Sequence, residues 1–303
     1  MSSEIESRAV AAYLGLALGD ALGATLEFMT PREIVAQYGV HRRIVGGGWL
    51  RLRAGAVTDD TTMSLALGEA ILACGGQVDA LSVAQAFDAW MRDKPVDIGN
   101  TVRRGVLHYR QTGQAVVAMD EQAAGNGACM RVLPVALALF GKEEAHVREA
   151  CRIQAQVTHN NPLSDAGSFA VARLVQGALS GMGLAPLHAQ VIRPLIEEQP
   201  VFAFRGRRVE NPSGYIVDTL RAVFQALFDN DSFESSLVDV VNRGGDADTT
   251  GAIAGMVAGA LYGLEGLPGS WLASLDREIR VRCTEQARAL LRYSPQFQAV
   301  GPR

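Results

Sequence analysis

The chain has 303 residues, 48% hydrophobic and 20% charged, with 32 acidic side chains against 28 basic ones for a net charge of −4. That length allows one large domain or two smaller ones, and the apolar content is ample for a buried core and excludes a disordered composition. Charge is not strongly segregated, so nothing predicts a nucleic-acid groove or a patch for anionic membranes.

In chain order, residues 4–24 read as a helix with small residues on one face, ending near Gly23. A loop with Glu27, Phe28 and Met29 leads to Thr30-Pro31, a helix start with proline at its first position. Residues 39–57 are rich in glycine and arginine and read as an irregular loop or short strand. Helices are then expected from Asp60 to about Cys74, over Ser82–Arg92 with Ser82 as the cap, and from Asn100 or Thr101 to Tyr109. The turn Gly125-Asn126-Gly127 precedes another apolar helix. Further helices are predicted at about 142–157, 165–181, 186–198, 214–228 and 232–243, then from Asp248 onward, near 269–275 and over 276–292.

Alternating strand patterns are almost absent, so the expected fold is an all-α, multi-helix orthogonal bundle. No linker or repeat divides it, and residues 1–303 are expected to form a single domain. The four cysteines, Cys74, Cys129, Cys151 and Cys283, lack C-x-x-C spacing, and three sit in apolar helical runs as small buried residues, which argues against zinc ligands or disulfides. The N-terminus carries no secretory signal pattern, and a cytoplasmic protein is expected. The uncharged run between Asp248 and Glu265 is too short to span a bilayer, which argues against direct membrane insertion.

Two stretches carry more carboxylate than a helix start requires. One is Asp246, Asp248, Thr249 and Thr250, which opens a helix with Gly251, Gly255, Gly259 and Gly263 at every fourth position. The other is Thr58-Asp59-Asp60-Thr61-Thr62, again ahead of an apolar helix. Capping explains one such residue per helix. Clustered carboxylates repel unless a cation or proton intervenes, and an all-oxygen donor set selects Mg²⁺, Mn²⁺ or Ca²⁺ over zinc or copper. Gly15, Gly19 and Gly23 share the four-residue spacing, so the two glycine faces are expected to pack together and bring Glu27 near Asp246 and Asp248. On spacing alone, Glu27 would be read as a solvent-facing loop residue.

The motifs G-D-A-L-G-A-x-x-E-F (Gly19 to Phe28), T-D-D-T (Thr58 to Thr61), G-N-G-A-C-M-R (Gly125 to Arg131), T-H-N-N-P (Thr158 to Pro162), S-G-Y-I-V-D-T-L (Ser213 to Leu220) and G-G-D-A-D-T-T-G (Gly244 to Gly251) resemble the ADP-ribosylglycohydrolase family. They occur in the family's order across nearly the whole chain. The resemblance implies a binuclear Mn²⁺ or Mg²⁺ centre at the base of a cleft, held by Thr58, Asp59, Asp60, Asp246, Asp248 and Thr249. It adds Glu27 as metal neighbour or catalytic carboxylate and Asp97 as the residue facing the reacting sugar. Gly99, Asn100 and Thr101, with Gly125, Asn126 and Gly127, would cradle the pyrophosphate of ADP-ribose. His159 would contact the ligand without an acid–base role, and Tyr215 would either pack on the ligand or fill the core.

Within the family, Lys94 to Thr101 (K-P-V-D-I-G-N-T) looks most like the bacterial branch that removes ADP-ribose from an arginine of the nitrogenase iron protein, dinitrogenase reductase. That branch implies an ADP-ribosylated protein substrate and control through a PII-type signalling protein. The alternatives are hydrolysis of a serine-linked or O-acetyl-ADP-ribose linkage, or a non-catalytic ADP-ribose-binding member of the fold. Retention of both acidic clusters argues against the last of these.

Overall fold

The computed structural model describes residues 2–122 and 124–300. Its helices are α1 (Ser2–Gly23), α2 (Pro31–Tyr38), α3 (Asp59–Ala73), α4 (Ala80–Arg92), α5 (Asn100–Thr112), α6 (Leu133–Ala138), α7 (Glu144–Gln156), α8 (Pro162–Leu179), α9 (Leu184–Leu187), α10 (Arg193–Glu198), α11 (Ile216–Asp229), α12 (Phe233–Val241), α13 (Ala247–Tyr262), α14 (Gly269–Ser274), α15 (Arg277–Leu291) and α16 (Pro295–Val300). A π turn, His188–Ile192, joins α9 to α10. No strand occurs among the described residues; two isolated bridges, Gly47 with Leu52 and Gly125 with Tyr215, are the extended pairings. None of the described helices is long and apolar enough to cross a membrane.

The architecture is built around α1 and α13. From Ala9 onward α1 is apolar on nearly all sides, as is α13 beyond its first turn, so both must be surrounded by protein, and α1 is buried continuously from Ala9 to Gly23. They run antiparallel with glycines face to face. A Cβ at Gly15 would collide with the Gly255 carbonyl, one at Gly19 with the Gly251 carbonyl, and one at Gly259 with the Ala11 carbonyl. Glycine at these positions therefore sets the helix separation. α12, α11 and α8 pack on α13, and α15 packs on both α1 and α3. Fully buried side chains such as Leu16, Leu18 and Leu22 each contribute roughly 1.5–3 kcal/mol by leaving water. A polar link crosses this interior: Gln286 of α15 donates to Leu65 O at 2.9 Å and accepts from the Tyr13 hydroxyl.

Several helix boundaries differ from the sequence expectation, each for a local reason. α4 is capped by Asp79, whose carboxylate accepts from the N–H and hydroxyl of Ser82 at 2.8 Å each, so Ser82 lies inside the first turn. α8 starts three residues early because Asn161 caps it and Pro162 occupies its first position, where a missing N–H is harmless. The predicted 186–198 helix is divided by the π turn just before Pro194, which cannot donate back along the helix; the preceding Arg193 N–H bonds to His188 O. Residues 39–57 form turns with one bridge, and α16 was not anticipated.

Candidate metal centre and cleft

The turn leaving α1 is laced to the turn entering α13. Phe28 adopts φ 64°, unusual for a side chain of its size. Its N–H donates to Gly245 O at 2.7 Å, and the Gly245 N–H returns a bond to Met29 O at 2.9 Å. Gly244 and Gly245 sit at φ 72° and 65°, and a Cβ on them would strike the Met29 and Pro212 carbonyls respectively. The glycine pair thus serves both turn geometry and close approach. The lacing sets Glu27 beside the α13 start, where ligand-capable oxygens of Glu27, Asp246 and Asp248 lie within 4.8 Å of one another. Glu27 is 5% exposed, so the solvent-facing reading is overturned.

Neither acidic helix start uses its own cap. Thr58, at the N-cap of α3, and Asp246, at the N-cap of α13, make no side-chain capping bond. Instead Asp20, buried in α1, reaches across to α3. Its carboxylate accepts from Thr58 N–H at 3.0 and 3.1 Å, from Thr61 N–H at 3.1 Å and from the Thr61 hydroxyl at 2.5 Å. With α3 capped from outside, Asp59 and Asp60 are released from capping duty, and capping no longer accounts for them.

Asp60 joins the two starts. Its Oδ2 accepts from the hydroxyls of Thr58 at 3.2 Å and Thr249 at 3.3 Å. Its Oδ1 is buried with no partner among the described residues. An unmet buried acceptor costs about 1–3 kcal/mol, so that oxygen fits a cation. Asp246 accepts from Asn126 Nδ2 at 2.6 Å, and Glu27 from Trp49 Nε1 at 2.6 Å.

Electrostatics point the same way. Burial, followed by repulsion from Asp97 and Asp20, pushes Asp59 up to about 7. Burial raises Glu27 to about 8 against the Trp49 hydrogen bond, with Asp97, Asp246 and Asp59 adding repulsion. Asp60 and Asp248 are driven well above the ordinary carboxylate range by burial and by their acidic neighbours, and burial also raises Asp246. A folded site with this much unneutralised carboxylate calls for positive charge. Its donors are oxygens only, which suits a hard cation.

Above the cluster opens a cleft of about 720 Å³, within the usual size range of small-molecule sites. Glu27, Asp59, Asp246, Asp248 and Thr249 form its base, and Asp97, Gly99, Asn100 and Thr101 one flank. Gly125, Asn126, Gly127 and His159 also line it. Thr58 and Asp60 are buried at 0% and 1% exposure and do not line the cleft. Tyr215 is 40% exposed and is not among the lining residues either; its neighbours Ser213 and Gly214 are.

The flank at α5 begins with Gly99, whose own N–H donates to Asp59 Oδ2 at 3.4 Å; no side chain caps the helix, which leaves the N–H groups of Asn100 and Thr101 for an anion. The Gly125-Asn126-Gly127 turn works differently from the expected backbone cradle. The Asn126 N–H is committed to Gly214 O at 3.0 Å. Glycine is needed there because the His159 ring packs against the turn: a Cβ would come within 3.0 Å of His159 Nε2 at Gly125 and 2.8 Å of Cε1 at Gly127.

Three contributions were not foreseen. Asp20 lies inside the G-D-A-L-G-A motif, and a single charged residue in the buried apolar stretch Ala9–Gly23 is the signal the sequence offers. Trp49 holds Glu27 from a loop without periodicity. Asn211 to Gly214 border the cleft because Asn211 N–H bonds to Arg243 O at 2.7 Å and Asp246 N–H to Pro212 O at 2.8 Å.

Fold and site together define an all-α protein with an acidic, cation-accommodating centre beneath a small-molecule cleft. The chain belongs to the ADP-ribosylglycohydrolase family, whose model matches residues 1–298. It is 46% identical to the ADP-ribosyl-[dinitrogen reductase] glycohydrolase of Rhodospirillum rubrum, over 95% of this chain and 96% of that one. An ADP-ribosylarginine hydrolase of Serratia proteamaculans is 32% identical over 92% of this chain and 78% of its own length. A solved structure described as an ADP-ribosylglycohydrolase-related protein complex superposes with a TM-score of 0.85 at 34% identity, covering 96% of this chain and 99% of the other.

Proposed function

We propose that this protein is a metal-dependent hydrolase that removes ADP-ribose from a modified arginine of a protein, the substrate being ADP-ribosylated dinitrogenase reductase. The observation that carries the reading is the joining of two acidic helix starts, neither capped by its own side chain, through Asp60 and Thr249 at the base of a cleft flanked by the N-terminus of α5. The arginine linkage, in preference to a serine-linked one, is supported by the names of the R. rubrum and S. proteamaculans relatives. Residues 1–303 act as one domain in this reading, supported by the α1–α13 pairing that ties the ends of the chain together. A cytoplasmic location and a PII-type regulatory partner complete the assignment.

Glu27, Asp59, Asp60, Asp246 and Asp248, with the hydroxyls of Thr58 and Thr249, would hold two Mn²⁺ or Mg²⁺ ions. When bound, such ions supply a template for ribose hydroxyls, Lewis acidity and a polarised water. At the α5 N-terminus the N–H groups of Asn100 and Thr101 bind the pyrophosphate, and Gly99, with no side chain, lets it approach. Asp97 is half-buried on the same flank. Its Oδ1 accepts from the Ile98 N–H at 2.8 Å, and no bond to Oδ2 occurs among the described residues, which leaves that oxygen for a proton. Glu27 is already bound to Trp49 and belongs to the acidic cluster, so its share is to hold and orient. Asp97 takes a proton as water adds to ribose C1″; the bond from C1″ to the guanidine nitrogen breaks, and the proton goes to the departing arginine.

The test is release of ADP-ribose from arginine-linked and serine-linked peptides with Mn²⁺ present. Release from the arginine peptide alone is expected, with Asp97→Asn losing at least roughly a hundredfold in kcat, the lower end for a proton-transfer group. Near wild-type turnover by Asp97→Asn overturns its role.

A further inference from the structure

Arg131, in the turn ahead of α6, is fully buried at 0% exposure and pairs with no carboxylate among the described residues; its partners are Gln154 and Thr158. Its Nε donates to Gln154 Oε1 at 3.0 Å, and its Nη2 donates to Gln154 O at 2.9 Å and to Thr158 Oγ1 at 2.8 Å. Its guanidinium carbon stands 4.3 Å from the centre of the Phe87 ring. Buried charges are ordinarily paired, so a lone buried arginine needs a reason. Burial draws its pKa down only to about 9, which leaves it charged at neutral pH.

Thr158 Oγ1 also lies 2.8 Å from Nδ1 of His159. A guanidinium can only donate, so the hydroxyl accepts from Arg131. Its one proton is then left to donate. Among the described residues no other acceptor bonds this hydroxyl, and His159 Nδ1 is the group within reach. Were Nδ1 protonated, two N–H groups would converge on Thr158 and its proton would be stranded in a buried position, at about 1–3 kcal/mol. Nδ1 is therefore the acceptor, and in a neutral ring the proton sits on Nε2. The ring is kept neutral by burial and by the nearby charges of Arg131 and Arg104, which depress His159 to about 3. Nε2 faces the gap left by Gly125 and Gly127 on the cleft side.

We propose that Arg131 and Thr158 are positioning residues that lock His159 as a neutral imidazole presenting Nε2–H, never a lone pair, to an oxygen of ADP-ribose bound in the cleft. This rests on the function proposed above for its ligand, but the tautomer itself does not. A fixed donor favours phosphate and hydroxyl oxygens acting as acceptors and rejects a ligand that offers only a donor there. Neutrality also means the contact persists unchanged across the working pH range.

The experiment reads the ring nitrogens of His159 by ¹⁵N NMR in the full-length, Mg²⁺-loaded protein, with His159→Gln identifying the signals. Nε2 is expected to carry the proton and Nδ1 none, from mildly acidic to alkaline pH. A proton on Nδ1, or an imidazolium at neutral pH, overturns the proposal. Thr158→Val should then mix the tautomers and weaken binding of free ADP-ribose about tenfold, the scale of one hydrogen bond. Thr158→Ser should restore both. An unchanged tautomer and affinity in a folded Thr158→Val protein sinks the positioning role. Should that variant not fold, Thr158→Ser must still match wild type in tautomer and affinity, and a failure there counts equally against it. If the tautomer is as stated while no ADP-ribose is released from arginine, the proposed function falls and the hydrogen-bond relay stands.

Discussion

The starts of α3 and α13 look alike in sequence and are held in opposite ways. Apart from Asp59, which reaches the cleft floor, the α3 start is sealed in protein, and it is pinned by a single carboxylate, Asp20, which takes the Thr58 and Thr61 N–H groups and a hydroxyl. The α13 start faces the cleft and is held by backbone lacing to residues 28–29 and 212 and by Asn126. The buried side is positioned through one side chain, so it is open to a single substitution. The exposed side is fixed by main chain and two glycines, which leaves its carboxylates free to meet a ligand. An acidic cluster can therefore be built from one anchored half and one reactive half.

The largest effect that sharpens this contrast is expected on the reactive half. Asp248→Ala should lower Mn²⁺ content and cut kcat/KM by more than the roughly 10–100-fold typical of outer-shell changes, measured by metal analysis and steady-state kinetics. On the anchored half, Asp20→Ala removes no cleft oxygen yet should reduce kcat/KM by roughly 10–100-fold. It should also lower stability by up to about 2 kcal/mol in urea unfolding through the lost cap. Full activity in Asp20→Ala would break the idea that α3 is positioned from α1.

A smaller effect tests how the halves are brought together. Gly19→Ala drives a Cβ into the Gly251 carbonyl and should cost about 1–3 kcal/mol of stability as the helices are forced apart. The smallest concerns pH. Burial holds Glu27 at about 8, Asp59 at about 7 and Asp20 at about 6, above their ordinary values of 4.5 and 3.8. Between about pH 4 and pH 8 the folded chain then binds more protons than the unfolded chain. Cation-free protein should accordingly lose stability as pH rises through that window. Saturating Mn²⁺ should flatten the slope, as a series of melting temperatures with and without the ion would register.

Much of the site was legible because its parts are local. Two carboxylates next to hydroxyls at a helix start are visible in five residues, and the four-residue glycine spacings announced their mutual packing. Glu27 could be placed only because it follows one glycine face closely. What escaped depends on contacts between distant segments. Nothing in the α1 sequence says which helix Asp20 faces. The Asn126 N–H looked available to a phosphate until Gly214, far along the chain, was found to hold it. Trp49 follows three consecutive glycines at positive φ, a conformation that carries no periodicity to read. The boundary errors at α4 and α8 came from competing caps one turn apart, where Asp79 and Asn161 offer a carboxylate or amide oxygen at the better position.

The pairing of α1 with α13 has a consequence for how the protein is made. Glu27 is synthesised long before Asp246, yet they share one centre. The Gly244-Gly245 turn that laces them, and the helix that α1 must cover, are made well after α1 itself. Until then α1 is an apolar helix without its partner, exposed to the aggregation that threatens long-range folds. Assembly of the acidic centre thus waits for α13, and no fragment that stops short of that helix can acquire it.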